Sequence, residues 1–404
     1  MTMTGTAPDS MPNSGRLKTA LDDLVRFDTQ NPPGREREAA GLVLAELQAM
    51  GCRAEAVEFE PGRVNVAGIF ENGPGPTFAF NTHLDVVPAG DGWTSDPFRL
   101  REEGARLFAR GACDAKGPLV AMLEAMRRLI AGRAGWSGTL IGVFVADEET
   151  QSRGAKAYRE TAPAIDYCVI GEPTSLTTVT AHKGSLRPIV QVRGATAHSG
   201  IPDAGVNAIL KSMPLLRLIE AEHGRLKSGP SHPLVGHPSL TVTRANGGHA
   251  DNIVPDSCTF GLDRRMVPGE DEAAVRRSLE ALVDRAAGEA GTAMEIVEWK
   301  PTTGPATETD AGHPIVGAAQ HACHHHNGRE TPLSGFLGGC DLVHFRAIGA
   351  QGVVIGPGSI DVAHKPDEFV PEEELVRAVL IYEDVARHML RGAGPFPASL
   401  GSGT

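Results

Sequence analysis

Apolar residues fall along this chain in two rhythms, one helical and one extended. Leu17, Leu21, Leu24 and Val25 recur at the spacing of one helix face and predict a helix over 17–27, closed by the turn residues Asn31-Pro-Pro-Gly34. A second helix is predicted over 36–50, with Leu42, Val43, Leu44 and Leu47 as its apolar side and Gly51 just past its end. Strands over 53–58 and 65–70 come next. Four unbroken apolar runs then follow, at the start of 76–88, in 138–145, in 167–170 and in 352–355. Each is short and rich in β-branched or aromatic residues, as buried strands are. A helix over 119–130 separates the first two.

Each run hands an ionisable residue to the positions beyond its C-terminal end. His83 and Asp85 follow the first, Asp147-Glu-Glu149 the second and Glu172 the third, and His364 comes after the fourth. Asp114 lies in the Gly-bounded loop Phe108-Ala-Arg-Gly-Ala-Cys-Asp-Ala-Lys-Gly-Pro118, just ahead of a predicted helix N-terminus, where a carboxylate is electrostatically favoured. In open α/β sheets that strand edge is where ligands bind. Strands joined through helices predict an α/β fold, with a mostly parallel sheet and helices on both faces. Three consecutive acids at 147–149 repel one another, so a positive group is expected beside them.

Between 185 and 299 the rhythm changes. Strands over 186–192, 239–244, 257–263 and 293–298 alternate with helices over 206–223, which carries Pro214, and 270–287. The order β-α-β-β-α-β is the ferredoxin-like pattern. It predicts a separate α+β domain over 185–299, inserted into a catalytic domain made of 1–184 and 300–404.

Composition narrows the class. A chain of 404 residues has room for two domains, and 41% hydrophobic with 22% charged residues is ordinary for a globular protein. The net charge of −12 disfavours nucleic-acid binding, which wants a basic face. No apolar run approaches the ~18 residues of a membrane helix. The start, MTMTGTAPDSMPNSG, lacks the basic lead and apolar core of a signal peptide. Six cysteines without a C-x-x-C pair read as reduced thiols, so a cytoplasmic protein with no membrane attachment is expected. The first dozen residues and the tail from Gly392 read as loose ends.

His83, Asp114, Glu149, Glu172 and His364, with Glu148 beside them, form a set of imidazoles and carboxylates. That set suits divalent zinc, with cobalt or manganese also compatible. Five protein ligands exceed one tetrahedral site but fit two sites that share a carboxylate. Adjacent residues on an extended chain point opposite ways, so one of Glu148 and Glu149 can ligate metal while the other stands as general base. Asp85 is placed to accept the second ring N–H of His83 and fix its tautomer. His321-Ala-Cys-His-His-His326, with no carboxylate partner in sequence, reads as a solvated helix end.

Five motifs in order carry a family resemblance: Asn81-Thr-His-Leu-Asp85, Gly111-Ala-Cys-Asp-Ala-Lys-Gly117, Asp147-Glu-Glu149, Gly171-Glu-Pro-Thr174 and Ala363-His-Lys-Pro-Asp-Glu368. Over about 17–390 the chain resembles the M20 family of metallohydrolases, in particular its acetylornithine deacetylase and succinyl-diaminopimelate desuccinylase branch. The resemblance implies a di-metal aminopeptidase-like catalytic domain, an inserted dimerisation domain and two divalent metal ions per chain. It implies one metal held by His83 and Glu172, the other by Glu149 and His364, Asp114 bridging them, and Glu148 as the base acting on a metal-bridging water.

His198, in Gly194-Ala-Thr-Ala-His-Ser-Gly200, matches the family's histidine that stabilises the oxyanion in the partner subunit's active site, which implies a homodimer through the inserted domain. Arg265 and Asn252 match positions that hold a substrate carboxylate, a task that suits the paired donors of a guanidinium. The implied activity is removal of an N-acyl group, acetyl, succinyl or similar, from an amino acid or related small amine. A dipeptidase or aminopeptidase is the alternative within the family, and an inactive metal-binding scaffold the alternative outside it. The Gly-rich Ser334-Gly-Phe-Leu-Gly-Gly-Cys-Asp341 matches no single substrate class, so the acyl group stays open.

Overall fold

The computed structural model describes residues 11–391. The expected loose tail from Gly392, and most of the expected loose start, lie outside the described residues. The chain forms two compact units: one holds the described residues up to Thr180, Thr309–Ser334 and those from Cys340, and the other holds Ala181–Glu308 and Gly335–Gly339.

The first unit is built on a sheet whose principal strands lie in the order Arg53–Glu60, Arg63–Asn72, Gly138–Val145, Thr77–His83, Tyr167–Ile170, Gln351–Val354. The last four are parallel to one another. The first two are antiparallel to each other and to their neighbour, and Val179 pairs antiparallel with Val354 at the far side. The expected mostly parallel sheet is therefore corrected to a parallel centre with antiparallel flanks. The connections explain the difference. A parallel neighbour needs a crossover of about a dozen residues or more, and the helix Lys116–Ala131 supplies one between Thr77–His83 and Gly138–Val145. Arg53–Glu60 and Arg63–Asn72 are joined only by Pro61 and Gly62, with Gly62 at φ 80°, and so close as a hairpin.

The central strands are buried at nearly every position, which means both faces are covered. Phe78, Phe80 and Phe144 fill the centre, packed with Leu17 and Leu21 of the helix Ser14–Val25 and with Tyr382 of the helix Glu372–Leu390. Tyr382 keeps its hydroxyl satisfied there by donating to the Ile355 carbonyl at 2.8 Å. Among the described residues no helix is long and apolar enough to cross a membrane.

The second unit is an antiparallel sheet in the order Ser239–Gly247, Ser257–Met266, Gly184–Arg193, Met294–Lys300. Leu186, Val190, Phe260 and Leu262 meet Leu215 and Leu218 of the helix Met213–Ser228 and Leu279 and Val283 of the helix Glu272–Ala290 in one core. The helix expected over 206–223 is split into Ala208–Lys211 and Met213–Ser228. Pro214 is the cause: it lacks an N–H to continue the first helix but fits the first turn of a new one.

His182 is fully buried in this unit. Its Nδ1–H donates to the Lys183 carbonyl at 2.9 Å, while Nε2 has no hydrogen-bond partner among the described residues. Burial pushes its pKa down to about 4. Between that value and the unfolded value of about 6.5 the unfolded chain binds the extra proton, so stability falls as pH falls through this window. On going from pH 7 to pH 5 in chelator, the wild-type chain should lose about 2 kcal/mol on this account, and a His182→Leu chain should not. Urea denaturation of both at the two pH values checks this.

Candidate active site

The parallel strands end together, and their C-terminal ends carry the site. Register places His83 opposite Val145, so the chain leaving Thr77–His83 runs beside the acidic loop at 147–149. His83 is buried, and its Nδ1–H donates to the main-chain carbonyl of Asp85 at 2.8 Å. That bond fixes the tautomer and leaves Nε2 facing Asp114 Oδ1 at 3.1 Å and Glu172 Oε1 at 4.0 Å.

The acceptor is the Asp85 carbonyl and not its carboxylate, whose nearer oxygen stands 3.8 Å from Nδ1. Asp85 orients the ring through its carbonyl. Its carboxylate accepts the main-chain N–H groups of Glu148 at 3.1 Å and Glu149 at 3.2 Å, and Asn31 Nδ2 at 2.8 Å. Those amide donors would otherwise lack partners in a protein interior, and they draw the carboxylate away from the ring.

Asp114 sits between the two imidazoles. One oxygen faces His83, and the other lies 3.3 Å from His364 Nε2, which is itself 3.1 Å from Glu149 Oε2. Two groups of donor atoms result, His83 with Asp114 and Glu149, and His83 with Glu148 and Glu172, each with its atoms within 4.8 Å of one another. The structure thus brings together all five expected ligands and Glu148.

Burial and the neighbouring carboxylates push Glu148 and Glu172 well above the usual carboxylate range, and Glu149 is raised too. Burial would raise Asp114 as well, but hydrogen bonds from His364 and His83 outweigh it and hold Asp114 below that range. Hydrogen bonds to Asp114 and Glu149 push His364 up to about 10. So dense a set of buried carboxylates is costly without positive charge, and a pair of divalent cations is the ligand that offsets it. The donor chemistry and the electrostatics both fit two divalent-metal clusters.

The third acid of the loop has another task. Asp147 is buried at φ 69° and accepts from Asn31 Nδ2 and Arg63 Nη2, both at 3.0 Å, and from the main-chain N–H and Nε of Arg153, at 3.2 and 2.8 Å. Arg63 and Arg153 are the positive groups expected beside three acids. Burial would raise Asp147, but Arg153, Thr150 and Asn31 bind its charged form and hold it at about 2. Asp147→Asn would take one of two carboxylates from each guanidinium, since Arg63 also faces Glu36 at 2.9 Å and Arg153 also pairs with Glu60, and a cost of about 1.5–3 kcal/mol is expected from the weakened charge-assisted bonds. A fall in the urea midpoint at pH 7, with Glu148 and Glu149 unchanged in sequence, checks it.

In the second unit His198 is exposed, and its Nδ1 accepts the N–H of Gly200 at 2.9 Å. The neutral ring therefore carries its proton on Nε2, as a donor. The carbonyl of the exposed Asn252 accepts the N–H of Ser199 at 2.9 Å, which places Asn252 next to His198. Arg265 is partly exposed and pairs through Nε with Asp263 at 2.7 Å. In the first unit, His321, His324 and His325 are exposed on the C-terminal half of the helix Pro314–Asn327, and His326 pairs with Asp384 at 2.6 Å.

A catalytic α/β unit with two metal clusters at its strand ends, joined to a second α+β unit, defines the class. The model of Peptidase family M20/M25/M40 matches residues 79–388, and the chain belongs to that family. It is similar to the acetylornithine deacetylase of Myxococcus xanthus, at 32% identity over 93% of this chain and 98% of that protein. The acetylornithine deacetylase of Vibrio atlanticus is also 32% identical, over 80% and 83%. A Staphylococcus epidermidis protein named probable succinyl-diaminopimelate desuccinylase is 28% identical over 92% and 96%. Among solved structures, the aminopeptidase PepT of Bacillus cereus has the same fold, with a TM-score of 0.75 at 23% identity over 94% of this chain and 100% of that one.

Proposed function

We propose that this protein is a two-metal amidohydrolase that removes an N-acyl group, acetyl, succinyl or similar, from an amino acid or related small amine. One observation carries the reading: the two oxygens of Asp114 face His83 and His364 separately, as a carboxylate shared between two cations must. The deacetylase and desuccinylase relatives, matched over most of their length, support the choice of bond.

His83 and Glu172 would hold one cation and Glu149 and His364 the other, with Asp114 placed to serve both. Zinc fits this donor set, and cobalt and manganese are compatible. When bound, such a pair supplies Lewis acidity and a nucleophile at neutral pH. Glu148 takes a proton from the attacking water on its carboxylate and returns it to the leaving amine nitrogen. Asp85 holds this arrangement from two sides, His83 through its carbonyl and the Glu148–Glu149 main chain through its carboxylate.

His198 presents Nε2–H as an oxyanion donor to the active site of a partner subunit, and Asn252 and Arg265 hold a substrate carboxylate. Exposed Ile201, Ile209, Leu210, Met213, Leu216 and Ile253 in the same unit, four of them within residues 209–216, support a homodimer through it, since large apolar side chains grouped at a surface mark an interaction site. The protein works in the cytoplasm on small molecules.

A panel of N-acetyl and N-succinyl amino acids and unblocked dipeptides, each run with zinc, cobalt and manganese, tests the reading. Turnover of the N-acyl compounds is expected, and turnover of dipeptides alone would overturn it in favour of a peptidase. Mixing His198→Ala and Glu148→Ala chains should restore part of the activity, and no rescue in verified mixed dimers would remove His198 from its role in trans.

A further inference from the structure

One buried acid in the motifs has no part in the reaction above. Glu368 closes the segment Ala363-His-Lys-Pro-Asp-Glu368, four residues after His364, and is 1% exposed. Its Oε1 accepts two main-chain N–H groups, those of Cys113 and Asp114, each at 2.9 Å. Its Oε2 accepts from Nη1 of Arg110, also 1% exposed. Its own carbonyl accepts the N–H of Ala109 at 3.1 Å. Arg110 extends the link, since its Nη2 donates to the carbonyls of Pro88 and Ala89 at 3.4 and 3.3 Å, in the segment that follows His83 and Asp85. Its guanidinium also lies over the Trp93 ring, 5.2 Å from the centroid.

We infer that Glu368 is a positioning residue that sets the distance between Asp114 and His364, and with it how tightly those two residues would hold metal. The inference rests on the proposed reading of those two residues as ligands. The geometry explains why a carboxylate is required. Asp114 stands in a loop outside the helix Lys116–Ala131, so its main-chain N–H has no helical partner. An acceptor fixed to the segment that carries His364 ties that N–H to the other ligand through four residues of chain. Only a carboxylate can accept two amides on one oxygen and an arginine on the other, as a charge-assisted set of bonds. Partners outside the ligand shell of a metal commonly contribute 10–100-fold to its affinity by orienting the ligands.

The test is metal binding by the stripped protein, read by calorimetric titration with zinc and by the visible spectrum after cobalt loading. Glu368→Gln keeps the size and one acceptor oxygen but loses the charge facing Arg110. It should weaken metal binding ~10–100-fold and shift the cobalt bands. Glu383→Gln is the control: Glu383 is a buried acid paired with Arg128 at 2.6 Å and Arg387 at 2.7 Å, outside both donor groups. It should lower stability yet keep the parent's metal affinity and spectrum. If Glu368→Gln does not fold, Glu368→Asp, which keeps the charge on a shorter arm, is read the same way. Parent-like affinity and spectrum in whichever Glu368 variant folds overturns the inference, and so does equal weakening in Glu383→Gln. A parent chain that binds no metal pair overturns the proposed function and this inference together.

Discussion

Glu148→Ala is expected to lower kcat by ~10²–10⁴, the usual worth of a positioned acid–base group, while two metal ions remain bound. The neighbouring side chains separate the roles. Glu149 is engaged by His364 at 3.1 Å, and Asp114 is spanned by both imidazoles. Glu148 lies with His83 and Glu172 at the other end of the cluster, its main-chain N–H fixed on Asp85 at 3.1 Å. Turnover and metal content should be measured on one sample. Near-normal turnover would sink the assignment, and loss of a metal ion together with activity would make Glu148 a ligand instead of a base.

Asp114→Ala is expected to empty both metal sites and abolish turnover, because one carboxylate serves two imidazole-bearing groups. The loss of affinity should exceed the ~10–100-fold typical of a partner outside the ligand shell. Treating the unchanged chain with a chelator should give the same loss of activity, reversed by adding zinc, cobalt or manganese. Metal analysis separates this from a one-sided role. A variant that keeps one ion at the parent's affinity would show that Asp114 belongs to a single site.

Several features of the site could be read without coordinates. His83, Glu149 and Glu172 each follow an apolar run that forms a parallel strand, and the end of a parallel strand fixes where the next residues go. Asp114 could be placed by its position ahead of a helix. The need for positive charge near 147–149 was also legible, but its source was not. Arg63 lies 84 residues from Asp147, on a hairpin strand, and nothing local distinguishes this buried arginine from one at the surface. Asn31 read as turn chemistry, yet its amide spans Asp85 and Asp147 at 2.8 and 3.0 Å. The role of the Asp85 carboxylate was not legible, because sequence spacing says which residues are near His83, not which donors compete for each oxygen.

The sequence by itself determined which elements form and which residues stand at their ends, because periodicity and turn chemistry act over a few neighbouring positions. It also determined the donor types, and so the class of metal. Only the tertiary structure decided which pairs of the sheet run antiparallel, and which acids face the imidazoles and which face arginines. Glu368 shows the difference most plainly. In sequence it is one more acid near a histidine. In the fold it accepts from Cys113, Asp114 and Arg110, 254 or more residues away. A buried carboxylate takes its role from the donors that close around it, and those are gathered only when distant segments pack.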